Sequence, residues 1–329
     1  MSSARVWTWC RRSVLAGICA SLPFGGPANA QTYPSAPVRI IVPFAPGGTA
    51  DILARMVGKK LGDKFGQTFY IENRTGANGA VGTEVVARAK PDGYTLLMGY
   101  LGTLAISPAL YDNLPFDPIR DLAPITNVAM TTQAIVARKT LPAKTVGELI
   151  ALARSGQTLT FGSAGVGSPS HLAGELFNAM AQIKMIHVPY KGSGAVLHDL
   201  MGGHVDISFG GLAAAMPAVQ AGQLRLLGVT SAKPSPGAPD TPTVAQAGLT
   251  GYEVTSWFGL LAPAGTPKPI IDLLHDEVVK IANEPEFKEK LAVDGAEVIA
   301  NTPQEFQDQI KADMTKWAKV VKDNGIAAK

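Results

Sequence analysis

Two segments of this chain combine residues suited to holding an anion through the main chain. The first is Phe44-Ala45-Pro46-Gly47-Gly48-Thr49-Ala50-Asp51. Glycines there let the backbone approach a bound molecule closely. A helix that begins there adds partial positive charge at its amino end, which favours a carboxylate. Asp51 falls about three residues into that helix. It either bonds neighbouring N–H groups or accepts a hydrogen bond from a ligand amide or amine. The second segment is Gly162-Ser163-Ala164-Gly165-Val166-Gly167-Ser168-Pro169-Ser170-His171. Ser168 is the expected N-cap, with Pro169 behind it. His171 lacks catalytic partners, so packing or capping is its expected role.

Two such helix ends facing one cleft would suit a small mono- or dicarboxylate, held by backbone amides and ordered water without a dedicated arginine. The expected ligand-binding residues are Phe44, Ala45, Gly47, Gly48, Thr49 and Asp51 from the first loop, and Ser163, Ala164, Gly165 and Ser168 from the second. Three further strand-end loops could add walls: Tyr100–Thr103, supplying Gly102 and Thr103; Tyr190-Lys191-Gly192-Ser193; and Asp206–Gly210, supplying Asp206 and Phe209. A carboxylate inside the strand-like run Val-Asp-Ile-Ser-Phe needs a donor. For Asp206 that donor is either neighbouring backbone or the ligand.

No catalytic constellation accompanies these loops. Around Ser163 the order Phe161-Gly162-Ser163-Ala164-Gly165 lacks the first glycine of a nucleophile elbow. The histidines (His171, His187, His198, His204 and His275) show no H-x-x-x-H or H-E-x-x-H spacing. His171 and Glu175, four apart, are too few for a metal. No phosphate-binding glycine motif is present. The sequence therefore predicts no catalytic residue, no metal and no cofactor, which disfavours a serine hydrolase.

The elements that must position the loops follow from periodicity. Val38–Phe44 is β-branched and apolar, the pattern of a buried strand. Ile52, Leu53, Met56, Val57 and Leu61 then line one helix face. Strands are expected at Thr68–Ile71, Thr95–Met98, Thr158–Gly162, Met185–Pro189, Val205–Phe209 and Leu224–Val229, with helices between them. Thr145-x-x-Glu148 and Thr302-Pro303-Gln304-Glu305 predict capping boxes, and Thr266-Pro267 predicts a helix start. This alternation is the signature of an α/β fold with mainly parallel sheets flanked by helices.

Residues 1–30 read as a secretory signal peptide. They hold Arg5, Arg11 and Arg12, no acid, an apolar stretch from about Val14 to Phe24, and Ala28-Asn29-Ala30 before Gln31. The apolar stretch is shorter than the roughly 20 residues of a spanning helix. Arg11-Arg12 leaves both the general and the twin-arginine export routes open. Without this segment the chain has 26 basic and 26 acidic residues and neither Cys10 nor Cys19. A neutral, thiol-free chain suits an oxidising compartment and points to no nucleic-acid partner. The expected location is periplasmic and the expected state a monomer.

Two apolar, β-prone segments, Leu122–Val128 and Tyr252–Leu261, could link two lobes. They divide the chain into residues 31–127 with 257–329 as lobe I and 128–256 as lobe II. That is the layout of a hinge-closing binding protein. PFAPGGTAD, NRTGANGAVG, GSAGVGSPSHLAGELF, PYKGSGAVLHDLMGGHVDISF and WFGLLAPAGTP, in order across nearly the whole chain, resemble the signature segments of the Bug family. These are extracytoplasmic solute receptors of tripartite tricarboxylate transporters. The resemblance implies a two-lobed, type II-like periplasmic-binding-protein fold with a two-segment hinge. It implies a carboxylate or amide ligand, pinched by the Phe44–Asp51 and Ser163–Ser168 loops partly through bridging waters. It also implies integral membrane permease components as partners; a signalling protein is the alternative partner. Where the family segment often reads Pro-Gly-Ala-Gly-Gly, this chain has Thr75-Gly76-Ala77-Asn78-Gly79. Asparagine tolerates a left-handed backbone better than most residues, so the turn is expected to survive.

Overall fold

The computed structural model describes residues 33–293 and 296–326. The cleavage position expected after Ala30 lies outside them. The chain begins β1 (Val38–Val42), α1 (Thr49–Phe65), β2 (Phe69–Asn73), α2 (Ala80–Ala87) and β3 (Thr95–Tyr100). A π-helical turn, Gly102–Ile106, runs into α3 (Ser107–Leu110), then β4 (Leu122–Arg138) and α4 (Val146–Arg154). The middle contains β5 (Thr160–Ser163), α5 (Pro169–Ala181), β6 (Ile186–Pro189), α6 (Ser193–Gly202), β7 (Ile207–Gly211), α7 (Leu212–Gln220) and β8 (Leu224–Val229). The chain closes with β9 (Thr255–Pro263), α8 (Lys268–Asn283), α9 (Pro285–Val293), β10 (Ala296–Val298) and α10 (Pro303–Asp323).

The strands form a mixed sheet in the order β2-β1-β3-β9-β4-β7-β5-β6, with β8 and β10 also paired to β4. Its ends are parallel trios, β2-β1-β3 on one side and β7-β5-β6 on the other. Its middle is antiparallel. β9 runs against β4 from Leu122↔Pro263 to Thr132↔Thr255. From Gln133 onward β4 pairs instead with β7, and from Ala134 with β8 as well. The two segments read as links are thus one antiparallel ribbon. At roughly 3.3 Å per residue, the 17 residues of β4 reach about 50 Å. Register shifts between Pro124 and Thr126 and between Asn127 and Ala129 insert extra residues, and such bulges bend a strand.

Burial follows the pattern of side chains. Val38, Ile40, Ile41 and Val42 of β1 are wholly buried, as expected for a strand covered on both faces. α1 lies close on β2 at Gly58, where a Cβ would stand 3.3 Å from the Phe69 carbonyl. It ends at Gly66, in the left-handed region at φ 65°, a conformation glycine adopts without steric cost. Phe306, Ile310, Trp317, Val320 and Val321 form the buried stripe of α10. That helix packs against β4, the Gly102–Ile106 turn and α5, so one apolar cluster includes Leu104, Phe177, Phe209, Trp257 and Phe306.

The caps depart in two places from the sequence pattern. Thr302 and Glu305 form the full reciprocal box. Thr145 accepts from the Glu148 N–H, but the Glu148 carboxylate takes the Lys144 N–H at 2.6 Å. Thr266 does not cap α8: its hydroxyl donates to the Pro263 carbonyl, and the N-cap is Pro267.

Gly259, in the middle of β9, leaves room for Phe306 of α10. A Cβ there would overlap the Phe306 ring and come within 3.0 Å of the Thr126 carbonyl. Gly259→Ala is expected to cost about 2 kcal/mol through overpacking. The expected outcome in thermal unfolding is a midpoint lowered by several degrees.

Candidate ligand-binding cleft

The amino ends of α1, α5 and α6 meet around a cavity of about 600 Å³. From the first predicted loop its lining includes Phe44, Ala45, Gly48 and Thr49, and from the second Ala164 and Ser168. The Tyr190–Ser193 wall is present through Lys191, Gly192 and Ser193, and Tyr100 contributes from the end of β3. Thr75–Gly79 and Phe258 also line it, although sequence reading assigned them no contact.

Asp51 shows how the first loop keeps its shape. Its carboxylate accepts from the Gly47 N–H at 3.0 Å, from Arg55 Nε and Nη2 at 2.9 and 3.0 Å, and from Asn73 Nδ2 at 2.9 Å. Asn73 Nδ2 also reaches the Phe44 carbonyl at 3.0 Å. Burial alone would raise the Asp51 carboxyl, but these donors outweigh it and hold it down at about 2. Asp51 is therefore an ionised brace behind the loop and is absent from the lining. Gly47, at φ 88°, is tied into the same brace.

Several other predicted residues are likewise supports. Thr103 is buried and its hydroxyl donates to the Asn78 carbonyl at 2.7 Å. Gly102 is tight: a Cβ would meet the Tyr100 ring at 2.7 Å and Pro169 at 3.5 Å. Ser163 is buried, with Oγ 2.6 Å from His187 Nε2 and 3.1 Å from both the N–H and the carbonyl of Gly165. The Gly165 carbonyl also accepts from the Ser168 hydroxyl at 2.6 Å. Asp206 lies outside the lining. It accepts from Arg138 Nε at 2.9 Å, the Thr160 N–H at 2.8 Å and the Thr160 hydroxyl at 3.0 Å, and so joins the ends of β4 and β5. Phe209 is wholly buried, edge-on to Phe161 at 5.9 Å.

The three helix ends differ in what they leave open. The first N–H groups of any helix lack intrahelical partners. α5 has a side-chain cap, the Ser168 hydroxyl accepting from the His171 N–H. Around it the N–H groups of Ala164, Gly165 and Gly167 bond Ser170 Oγ, Ser163 Oγ and His171 Nδ1. α1 and α6 start from Gly48 and Gly192, and neither has a side-chain cap. The end with a side-chain cap is thus that of α5, and the ends without one are those of α1 and α6.

The Thr75–Gly79 segment owes its shape to unusual backbone. Ala77 and Asn78 lie at φ 46° and 50°, between Gly76 at 137° and Gly79 at 88°. Asn78 does occupy a left-handed conformation, steadied by its Nδ2 on Ser107 Oγ at 3.2 Å. A side chain at Gly79 would collide with Thr103 and approach Phe44. Gly76 and Gly79 around an asparagine were the legible signal for a close-packed loop.

Behind the second loop, His171 and His187 stack at 3.9 Å, and Phe161 stacks on His187 at 5.0 Å. Burial lowers both imidazoles, His187 to about 4 and His171, with help from His187, to about 3. His171 Nδ1 accepts from Gly167, which requires the unprotonated ring nitrogen. Glu175 lies 3.7 Å from His171 Nε2. Among the described residues no group of three or more His, Cys, Asp or Glu side chains could hold a metal ion.

Two sheet halves on a shared antiparallel ribbon, with loops converging on a cleft, define a solute-binding protein of the type II periplasmic class. Residues 53–326 match the family model described as the tripartite tricarboxylate transporter family receptor. Protein BugT of Bordetella pertussis is 33% identical over 320 residues, covering 96% of this chain and 98% of BugT. The structure of Rpa4515 of R. palustris with adipate is 38% identical, covers 90% of this chain and 99% of its own, and superposes with a TM-score of 0.82. MatC from Rhodopseudomonas palustris, with bound malate, is 32% identical, covers 88% and 100%, and superposes at 0.78. This chain belongs to the tripartite tricarboxylate transporter receptor family, also called the Bug family. It is a periplasmic solute receptor and not an enzyme.

The buried ionisable groups carry two expected outcomes. Asp51→Ala removes a carboxylate that four donors share and is expected to cost about 2 kcal/mol. That contribution is present above the ordinary pKa of 3.8 and fades as pH falls toward about 2. The histidines act at higher pH. Below the ordinary value of 6.5 the unfolded chain binds protons that the folded pair refuses, so stability falls as pH drops from about 6.5 to about 4. Melting curves across that window should show a decline that His171→Gln/His187→Gln flattens.

Proposed function

We propose that the cleft captures a small organic carboxylate and hands it to the integral membrane permease components of a tripartite transporter. The observation that carries this reading is the uncapped amino end of α1, presented by Gly48 and Thr49 to a cavity whose lining contains no acidic side chain. Such an end offers unsatisfied N–H donors and partial positive charge to an anion. The cavity volume is within the range of small-molecule sites. The relatives solved with adipate and with malate support the same ligand class.

In this proposal the contacting residues are Phe44, Ala45, Gly48, Thr49, Ala164 and Ser168, joined by Tyr100 and the Thr75–Gly79 and Lys191–Ser193 walls. Asp51, Thr103 and Ser163 hold those walls in place. Residues 31–127 with 257–329 form one lobe and residues 128–256 the other. The ribbon of β4 and β9 is the hinge, and its bulges absorb the bend. In this reading residues 1–30 direct export to the periplasm and are then removed, and the receptor acts as a monomer.

Gly48→Val tests the reading. A Cβ at Gly48 meets nothing nearer than the Ala45 carbonyl at 4.0 Å, and φ there is −83°, so the fold tolerates a side chain. The N-cap change itself costs only about 1 kcal/mol. Calorimetric titration with malate and adipate is expected to show binding to the native protein and at least a roughly tenfold weaker affinity in the variant, about 1.4 kcal/mol. Equal affinity in both proteins would mean that the α1 end does not hold the ligand.

A further inference from the structure

Behind the second loop lies a cavity of about 410 Å³ that shares no lining residue with the cleft. Its walls include His171, Glu175 and His187, with Asn324 and Gly325 just past the end of α10. The two imidazoles line this cavity and also bond the loop directly. His171 Nδ1 accepts from the Gly167 N–H at 3.2 Å, and His187 Nε2 lies 2.6 Å from Ser163 Oγ. Gly167 is buried at φ 77°, and a Cβ there would stand 2.7 Å from the Leu110 side chain and 4.0 Å from Asn78 Nδ2. The second loop therefore meets α3 and the Thr75–Gly79 wall of the cleft at the residue whose N–H His171 holds.

We infer that His171 and His187 are positioning residues for ligand capture, whose unprotonated rings hold the Ser163–Ser168 loop in its binding shape, so that proton uptake by the pair and ligand binding oppose each other. This rests on the reading of the cleft as a carboxylate site. A buried N–H needs an acceptor. For Gly167 that acceptor is a ring nitrogen of His171, and a protonated imidazole has only donors to offer. Proton uptake therefore sets two N–H groups against each other and displaces the loop from Leu110 and Asn78. The cavity supplies the counter-charge: Glu175 Oε1 lies 3.7 Å from His171 Nε2, placed to pair with an imidazolium. Apart from the pair itself, Glu175 is the one ionisable side chain in that lining. The residues that face the rings from β5 and from the end of α10, among them Phe161, Ser163, Asn324 and Gly325, carry no charge. By linkage, a ligand that needs the loop in place lowers the affinity of the rings for protons, and protons weaken the ligand to the same extent. Burial, and for His171 the neighbouring His187, keep the pair unprotonated down to about 4, so the coupling acts in acid and is silent at neutral pH.

The test measures malate affinity by calorimetric titration, with melting curves at each pH to ensure that folded protein is compared. At neutral pH His171→Leu removes the acceptor and is expected to bind roughly tenfold more weakly, the effect of one buried N–H left unpaired. His171→Asn returns a carbonyl oxygen close to the Nδ1 position and is expected to recover most of that loss. In acid, malate itself takes up protons, which weakens its binding to every variant alike. By about pH 3.5 the native protein is expected to lose about fourfold more affinity than His171→Asn/His187→Gln, whose amides take up no proton, as follows for a pair that first titrates at about 4. Unchanged affinity in His171→Leu, or a parallel decline of the native protein and the double variant, overturns the positioning role while leaving the cleft a carboxylate site. Should His171→Leu fail to fold, the acid comparison decides alone, because its double variant keeps groups that can bond the loop. If neither malate nor adipate binds the native protein at neutral pH, the carboxylate reading itself fails, and this inference with it.

Discussion

The pairing of β4 with β9 sets the position of everything else. Each parallel trio needs a neighbour on its inner edge, and β3 finds it in β9 while β7 finds it in β4. The two inner strands then pair with each other over the whole of β9 and over Leu122–Thr132 of β4. Among the described residues the inner edges of both trios are thus paired, as buried backbone groups require. The βα loops of both trios therefore converge on the same space. The long strand β4 belongs to both halves, and its register is shifted twice beside β9 and once, between Ile135 and Val136, beside β8.

Within the space so created, the cleft is built from main chain and braced by side chains. Asp51, Asn73 and Arg55 hold the first loop. Thr103 and Ser107 hold the left-handed turn at Ala77 and Asn78. Ser163 and the stacked histidines hold the second loop. Apart from the exposed Arg55, these polar side chains are buried or half-buried, and they bond neighbouring loops. A receptor that must release its cargo benefits from this division. Loops ordered on folding reduce what binding must order.

Much of the strand and helix order was legible because its signals are local. Leu224–Val229 coincides with a strand, the Thr302 box forms as its residues demand, and Ser168 caps α5. Cap chemistry was less legible where a neighbour competes. Glu148 found the Lys144 N–H, and Thr266 found the Pro263 carbonyl, because each had a second acceptor or donor within one turn. The site was half legible. Gly48, Thr49, Ala164 and Ser168 could be read as loop residues at helix starts, but the inward or outward aim of Asp51, Thr103 and Asp206 could not. A carboxylate beside a glycine turn looks the same in sequence whether it faces a ligand or an arginine.

By itself the sequence determined which segments form strands and helices, where glycines permit close approach, and to which receptor family the chain belongs. Those properties depend on neighbours a few residues apart or on motifs preserved in order. Tertiary structure alone decided that Thr75–Gly79 and Phe258 join the lining and that Asp206 and Phe209 stay outside it. Each of those outcomes turns on which groups meet across tens or hundreds of residues, and partners at that separation are chosen only when the strands have paired.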